Sequence, residues 1–259
     1  MKKICVFVGS RANYSSIKSV MRAVKAHSNL ELQVVLGASA ILDRFGKVED
    51  LIRKDGFEPD FIFHNIIEGD SPSTMAKSTG MGLMDASMIF NNLKPDMLVV
   101  VGDRYEMMSV TLAAAYMNIL IVHTMGGEVT GTIDESIRHA ITKFSHIHFP
   151  ANEDSRQRII KMGEDEKYVF NVGCPRTDLV AEELQNDSHE ILNDLFKTYG
   201  GVGSGIDLSQ PYLLVSQHSV TTEFGDNREQ IDETLKALDE LKLPTIMLWP
   251  NSDAGGDDI

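Results

Sequence analysis

Acids, arginines and glycines crowd into one part of the sequence, VVVGDRYE (99–106) followed by IVHTMGGEVTGTIDESIRHAITK (121–143). Asp103, Glu128 and Asp134 make an acidic set, and Arg104, Arg138 and His139 its basic counterpart. That mixture suits removal of a proton from carbon while an anionic group departs, because the base must be a carboxylate and the departing charge needs a guanidinium. Asp134 and Arg138 are four positions apart, so on a helix they share a face and the guanidinium would hold the carboxylate ionised and aimed. Taken singly, the same residues also fit helix caps and surface ion pairs, each contributing about 0 to 1 kcal/mol. Their convergence at strand ends is what points to a site.

The elements that must position them can be read from the apolar runs. A strand over Met97–Val101 delivers Gly102, Asp103 and Arg104, an Ala-rich helix follows, and a second strand over Ile119–His123 delivers Gly126, Gly127 and Glu128 ahead of a helix starting near Thr132. Neighbouring parallel strands put these groups on one carboxyl edge, where an open α/β sheet binds its ligand. Earlier in the chain, residues 3–9 form a strand, and the turn GSRANYSS opens a helix over Ile17–His27. Such a turn favours phosphate through its backbone amides, and Arg11 and Ser15 add side-chain donors. It lacks the full dinucleotide and P-loop glycine patterns, so no nucleotide cofactor is expected.

Strands are also expected at Glu31–Gly37, Phe61–His64 and 146–149, helices at Thr74–Leu93 and Glu153–Met162, and the start of a further strand within YVFNVGCP (168–175). The methionines of the Thr74–Leu93 helix are spaced as a core face. Strand and helix alternate throughout, which predicts a doubly wound lobe over residues 1–167. Residues 168–259 then begin a second lobe: a polar helix over Glu182–Tyr199, a loop GGVGSG, strands at Tyr212–Ser216 and Thr245–Trp249, and a helix at Arg228–Leu241. Two strands are too few to bury both faces of a parallel sheet, so this lobe reads as incomplete.

A net charge of -14 over 259 residues argues against nucleic acid or an anionic membrane as partner, and any anionic ligand must be held by local arginines. No segment approaches the roughly 20 apolar residues of a membrane span, and MKKICVFVGS reads as a buried strand and not a signal peptide. Cys5 and Cys174 have neither metal nor disulfide spacing, consistent with a reducing cytoplasm. His146 and His148 face one side of a strand but lack companion ligands, so they read as packed polar residues and no metal is expected.

The segments GSRANYS (9–15), GDRYE (102–106), GGEVTGTIDESIRHAITK (126–143), QHSVTTE (217–223) and WPNSDAG (249–255) closely resemble the hydrolysing UDP-N-acetylglucosamine 2-epimerases of sialic-acid pathways. The resemblance runs along essentially the whole chain in the family's order. It implies a two-lobed glycosyltransferase-B-like α/β fold without a nicotinamide cofactor, acting on a UDP-sugar by eliminating UDP across carbons 1 and 2 and rehydrating with inversion at carbon 2. It further implies Asp103, Glu128 and Asp134 as proton-handling candidates, Asp134 oriented by Arg138. Arg11, Arg104 and His218 would meet the leaving diphosphate with help from Ser15, and Asn251 and Asp253 would lie near the uridine or ribose.

Two departures stand out. Met125 occupies a position where many relatives carry glutamate, which places the proton work on Glu128 or Asp134. The family also continues well past Ile259, including a Gly-Asn-Ser-Ser loop that grips the diphosphate, so the chain alone is expected to be weakly active. Alternatives are the same chemistry on a UDP-linked 2,4-diacetamido-trideoxy sugar, as in legionaminic acid synthesis, or a non-catalytic UDP-sugar-binding module. A homodimer or homotetramer is expected from the family habit.

Overall fold

The computed structural model describes residues 1–185, 198 and 201–259 of the chain. Most of the polar helix expected over Glu182–Tyr199, and the first residue of the GGVGSG loop, lie outside the described residues. Contacts divide the chain into two units, Met1–Leu179 and Val180–Ile259.

The first unit is built on a six-stranded parallel sheet of order β3-β2-β1-β4-β5-β6, formed by β1 (Lys2–Val8), β2 (Leu30–Leu36), β3 (Phe61–Ile62), β4 (Met97–Val101), β5 (Leu120–Thr124) and β6 (Ile147–Phe149). The crossover between β1 and β4 makes this a doubly wound sheet with its ligand crevice beside the central strands. β1 is apolar throughout because both of its faces are covered. Val6 and Val8 enter one buried cluster with Ile17, Met21 and Leu36, while Cys5 and Phe7 enter the other with Ile89, Phe90 and Val110. This is the two-residue alternation of a strand expressed between two helix layers.

The helices of the first unit are α1 (Arg11–Ser15), α2 (Lys18–Ala26), α3 (Val48–Lys54), α4 (Pro72–Leu93), α5 (Tyr105–Tyr116), α6 (Ile133–Phe144) and α7 (Glu153–Lys161), and α8 (Pro175–Glu183) starts in it and runs past its end at Leu179. α4 starts on a capping box at Ser71 and Thr74, with Pro72 in its first turn. Its methionines correct the sequence expectation: Met84 and Met88 are 69% and 61% exposed, whereas Gly82, Ala86, Ile89 and Phe90 are buried. The small residues are what let α4 lie against α5, since a Cβ on Gly82 would sit 3.0 Å from the Ser109 Cβ. The methionines therefore mark the outward face.

The stretch 168–175 also differs from expectation. It makes a single parallel bridge, Val169 with His148, and not a strand. Gly173 turns the chain with φ +89°, and Pro175, which has no N–H to lose, opens α8. Ser19 donates to the Pro175 carbonyl at 3.4 Å and Arg176 donates to Ser16, which ties this stretch to the first unit. The division accordingly falls after Leu179 and not after residue 167.

The second unit contains a two-stranded parallel sheet of β7 (Leu213–Ser216) and β8 (Thr245–Leu248), with α9 (Asn227–Leu241) between them in sequence. Leu214 and Trp249 are 63% and 72% exposed, as a sheet of this width leaves them. Among the described residues no helix is long and apolar enough to cross a membrane.

Candidate active site

The tips of β4 and β5 and the N-terminal turn of α1 surround one cavity of about 90 Å³. Ligand pockets for whole small molecules span roughly 300 to 1,000 Å³, so this cavity suits the reacting end of a larger ligand. Asp103, Arg104, Met125, Glu128, Arg138 and Arg176 supply its chemistry, and Asn13, Ser16 and Gly102 are among its backing residues.

Each tip is shaped by backbone that needs glycine or tolerates strain. Gly102 (φ +69°) turns the chain out of β4, and Met125 (φ +60°) and Gly127 (φ +79°) turn it out of β5. A side chain at Gly127 would press into the Ser155 carbonyl, so that position requires glycine on two counts. A methionine in the left-handed region beside a cavity is the kind of local strain that clusters at functional sites. His123 ties the tips together from beneath: wholly buried, its Nε2 donates to the Gly102 carbonyl at 2.8 Å and its Nδ1 faces the Thr142 hydroxyl at 3.1 Å. Burial pushes its pKa down to about 4, outweighing the bond to Gly102, so the ring is neutral.

Arg138 is the hub of the acidic side. Nearly buried, it forms an ion pair with Asp103 through Nη2 and donates from Nη1 to the Glu128 carbonyl at 2.9 Å. Sequence spacing had assigned this guanidinium to Asp134, but on folding it turns toward the β4 tip. Asp134 is half-buried in the first turn of α6 and is not among the residues lining the cavity. The loop carrying Glu128 is held from three sides. Arg158 on α7 donates to the Gly127 carbonyl, Arg138 to that of Glu128, and Glu135 accepts from the Thr130 and Gly131 amides at 2.8 and 2.9 Å. The Glu128 carboxyl itself is half-buried, and burial raises its pKa against the opposing field of Arg176.

Of the expected phosphate contacts, Arg104 lines the cavity, with its Nε on Glu106 Oε1 at 2.6 Å, while Arg11 is exposed beside Gly46 and does not line it. Ser15 turns its hydroxyl to the Ala12 carbonyl at 3.0 Å, and its neighbour Ser16 is the serine that faces the cavity. In the second unit His218, Asn251 and Asp253 meet one another: the Asn251 amide donates to His218 Nδ1 at 3.1 Å and its side chain to Asp253 at 2.6 Å. His148 pairs with Glu164 at 3.3 Å and His146 accepts from the Ile121 amide at 3.2 Å, so both have structural partners. The residues the sequence left unmarked are Asn13, Ser16 and Arg176. The usable signal for Arg176 was its place behind Pro175, the first-turn position of a helix.

Comparison with known proteins bears on this geometry. The family model described as UDP-N-acetylglucosamine 2-epimerase matches residues 22–259. A Legionella pneumophila UDP-N,N'-diacetylbacillosamine 2-epimerase (hydrolyzing) is 32% identical over 99% of this chain and 66% of its own length. A Neisseria meningitidis UDP-N-acetylglucosamine 2-epimerase is 29% identical over 100% of this chain and 65% of its own. The chain thus spans about two thirds of the length of the curated relatives it matches. Among solved structures, the Neisseria meningitidis UDP-GlcNAc 2-epimerase bound to UDP-GlcNAc superposes with a TM-score of 0.78 at 17% identity, covering 99% of this chain and 68% of that one. The fold is therefore the glycosyltransferase-B-like α/β fold of these enzymes, with the second lobe incomplete beside theirs. By its sequence and its fold, the chain belongs to the UDP-N-acetylglucosamine 2-epimerase family.

Proposed function

We propose that this chain carries the proton-transfer half of a hydrolysing 2-epimerase that converts UDP-N-acetylglucosamine to N-acetylmannosamine and UDP. The observation that carries the reading is the cavity itself, which gathers Asp103, Glu128 and three guanidiniums at the tips of adjacent parallel strands. In the reaction the bond from carbon 1 to the diphosphate oxygen breaks as a carboxylate takes the carbon 2 proton, leaving a double bond between the two carbons. Water then adds hydroxyl to carbon 1, and a proton returns to carbon 2 from the opposite face. Two faces need two groups, and two carboxyls in unlike surroundings can divide the work.

Asp103, fixed by Arg138, is the base. Glu128, whose burial favours its neutral form, supplies the returning proton. His123 and Arg138 hold the two tips in register. His218, Asn251 and Asp253 of the second unit are assigned to the nucleotide, and Asp134 to supporting the α6 end of the site. The expected partner is a UDP-sugar, bound by a homo-oligomer.

A second reading keeps this chemistry and changes the sugar to a UDP-linked 2,4-diacetamido-trideoxy hexose. It is favoured by the Legionella relative and by the apolar Met125 on the cavity wall, which suits a deoxygenated sugar. Turnover of both UDP-sugars in heavy water, followed by proton NMR, tests the two together. Free sugar with deuterium at carbon 2 is the expected product, and the faster substrate identifies the sugar. UDP release without deuterium at carbon 2 would refute the mechanism.

A further inference from the structure

Three guanidiniums reach the cavity, and they differ in what already answers their charge. Arg104 donates to the carboxylate of Glu106, which is fully buried. Arg138 faces Asp103. Arg176, at the start of α8, donates from Nε and Nη2 to Ser16 Oγ at 3.2 and 2.6 Å. Ser16 is a neutral acceptor, buried, whose own proton goes to the Ala12 carbonyl at 2.8 Å. No carboxylate forms an ion pair with Arg176 among the described residues. The tether therefore fixes the guanidinium without cancelling its charge. A pre-positioned planar fork of this kind is suited to phosphate, since little side-chain freedom remains to be lost on binding.

We propose that Arg176, anchored on Ser16, is the cation that receives the diphosphate of the nucleoside diphosphate leaving group in this cavity. This rests on the epimerase reading above and adds a residue to it. Arg11, the motif arginine that would otherwise take the role, does not line the cavity. With the Arg104–Glu106 and Arg138–Asp103 pairs each internally balanced, Glu128 and Arg176 remain as the two groups whose charges set the balance of the pocket. Before reaction, with Glu128 protonated, Arg176 leaves the pocket with one uncancelled positive charge. When Asp103 takes the carbon 2 proton, Arg138 loses its negative partner and the positive charge rises as the anion forms. When Glu128 gives its proton to carbon 2, that added charge is offset and the anion is held less tightly, which links proton return to product departure.

Calorimetric titration of the chain with UDP and with uridine tests this. Arg176→Gln is expected to weaken UDP binding about 10-fold or more while leaving uridine binding unchanged, and Arg176→Lys to fall between. Ser16→Ala, which keeps the charge and removes the anchor, is expected to weaken UDP by a smaller factor. Both Arg176 variants should stay folded and melt within about 4 °C of the wild type, because the exposed side chain loses only its bonds to Ser16. UDP affinity within two-fold of wild type in Arg176→Gln would overturn the assignment while leaving the epimerase reading intact. A wild-type chain that binds neither UDP nor a UDP-sugar would overturn the reading of the site itself.

Discussion

The Asp103–Arg138 pair lends itself to a quantitative test by removing one charge and leaving the other. In Asp103→Asn the Arg138 side chain, only 3% exposed, keeps its charge with a neutral neighbour, while the Asp103 position is 26% exposed. Breaking a buried pair from one side costs roughly 3 to 5 kcal/mol, and water at the more exposed partner brings the expected loss to about 2 to 3 kcal/mol. For a unit of this size that corresponds to a melting temperature lower by roughly 4 to 12 °C. Removing both charges in Asp103→Asn with Arg138→Met should recover most of that stability, short by about 1 kcal/mol for the lost bond to the Glu128 carbonyl. Turnover should be absent in the single and the double variant alike, since restored packing returns no base. Thermal unfolding followed by circular dichroism, beside an assay of UDP release, reads both effects. A single variant that melts within 1 °C of wild type, or a double variant less stable than the single one, would refute the claim that these charges are mutually dependent.

Glu128→Gln should abolish deuterium incorporation at carbon 2 yet melt higher than wild type at neutral pH. The folded state raises this carboxyl's pKa, so the burial penalty is present above the folded pKa and disappears below the unfolded value near 4, where the two proteins should converge. His123, held neutral with a pKa of about 4, makes the fold acid-sensitive in the opposite sense. Its unfolded form takes a proton below about pH 6.5 while its folded form resists until about 4, so stability should fall by roughly 3 kcal/mol across that window. His123→Gln should be flatter over the same range in a pH series of melting curves, and a slope equal to wild type would show that another group is responsible.

The sheet was legible because a doubly covered parallel strand writes itself as an unbroken apolar run. Met97–Val101 is the strand the sequence marks, residue for residue. Helix ends were legible where chemistry marks them, as at Leu93 and Leu241. What spacing could not resolve was direction. α1 has five residues, too short for a periodic face to separate Ser15 from Ser16. Arg138 has a partner four residues away that helical geometry permits and another across the cavity that burial prefers, and only the fold decides between them. The methionines of α4 misled because hydrophobicity was taken for burial, when two small residues on the other side of the helix mark the packed face. Arg176 was missed because the start of a strand was expected within YVFNVGCP and no helix was expected to open at Pro175.

The Arg158 grip on the Gly127 carbonyl makes the outer helix α7 a silent stakeholder in the chemistry. Nothing on that helix needs to touch a sugar for its loss to be felt there, since the peptide it grips immediately precedes Glu128, the proposed proton donor. A survey of surface substitutions should therefore find a patch on α7 whose damage registers as failed turnover in an otherwise well-folded protein.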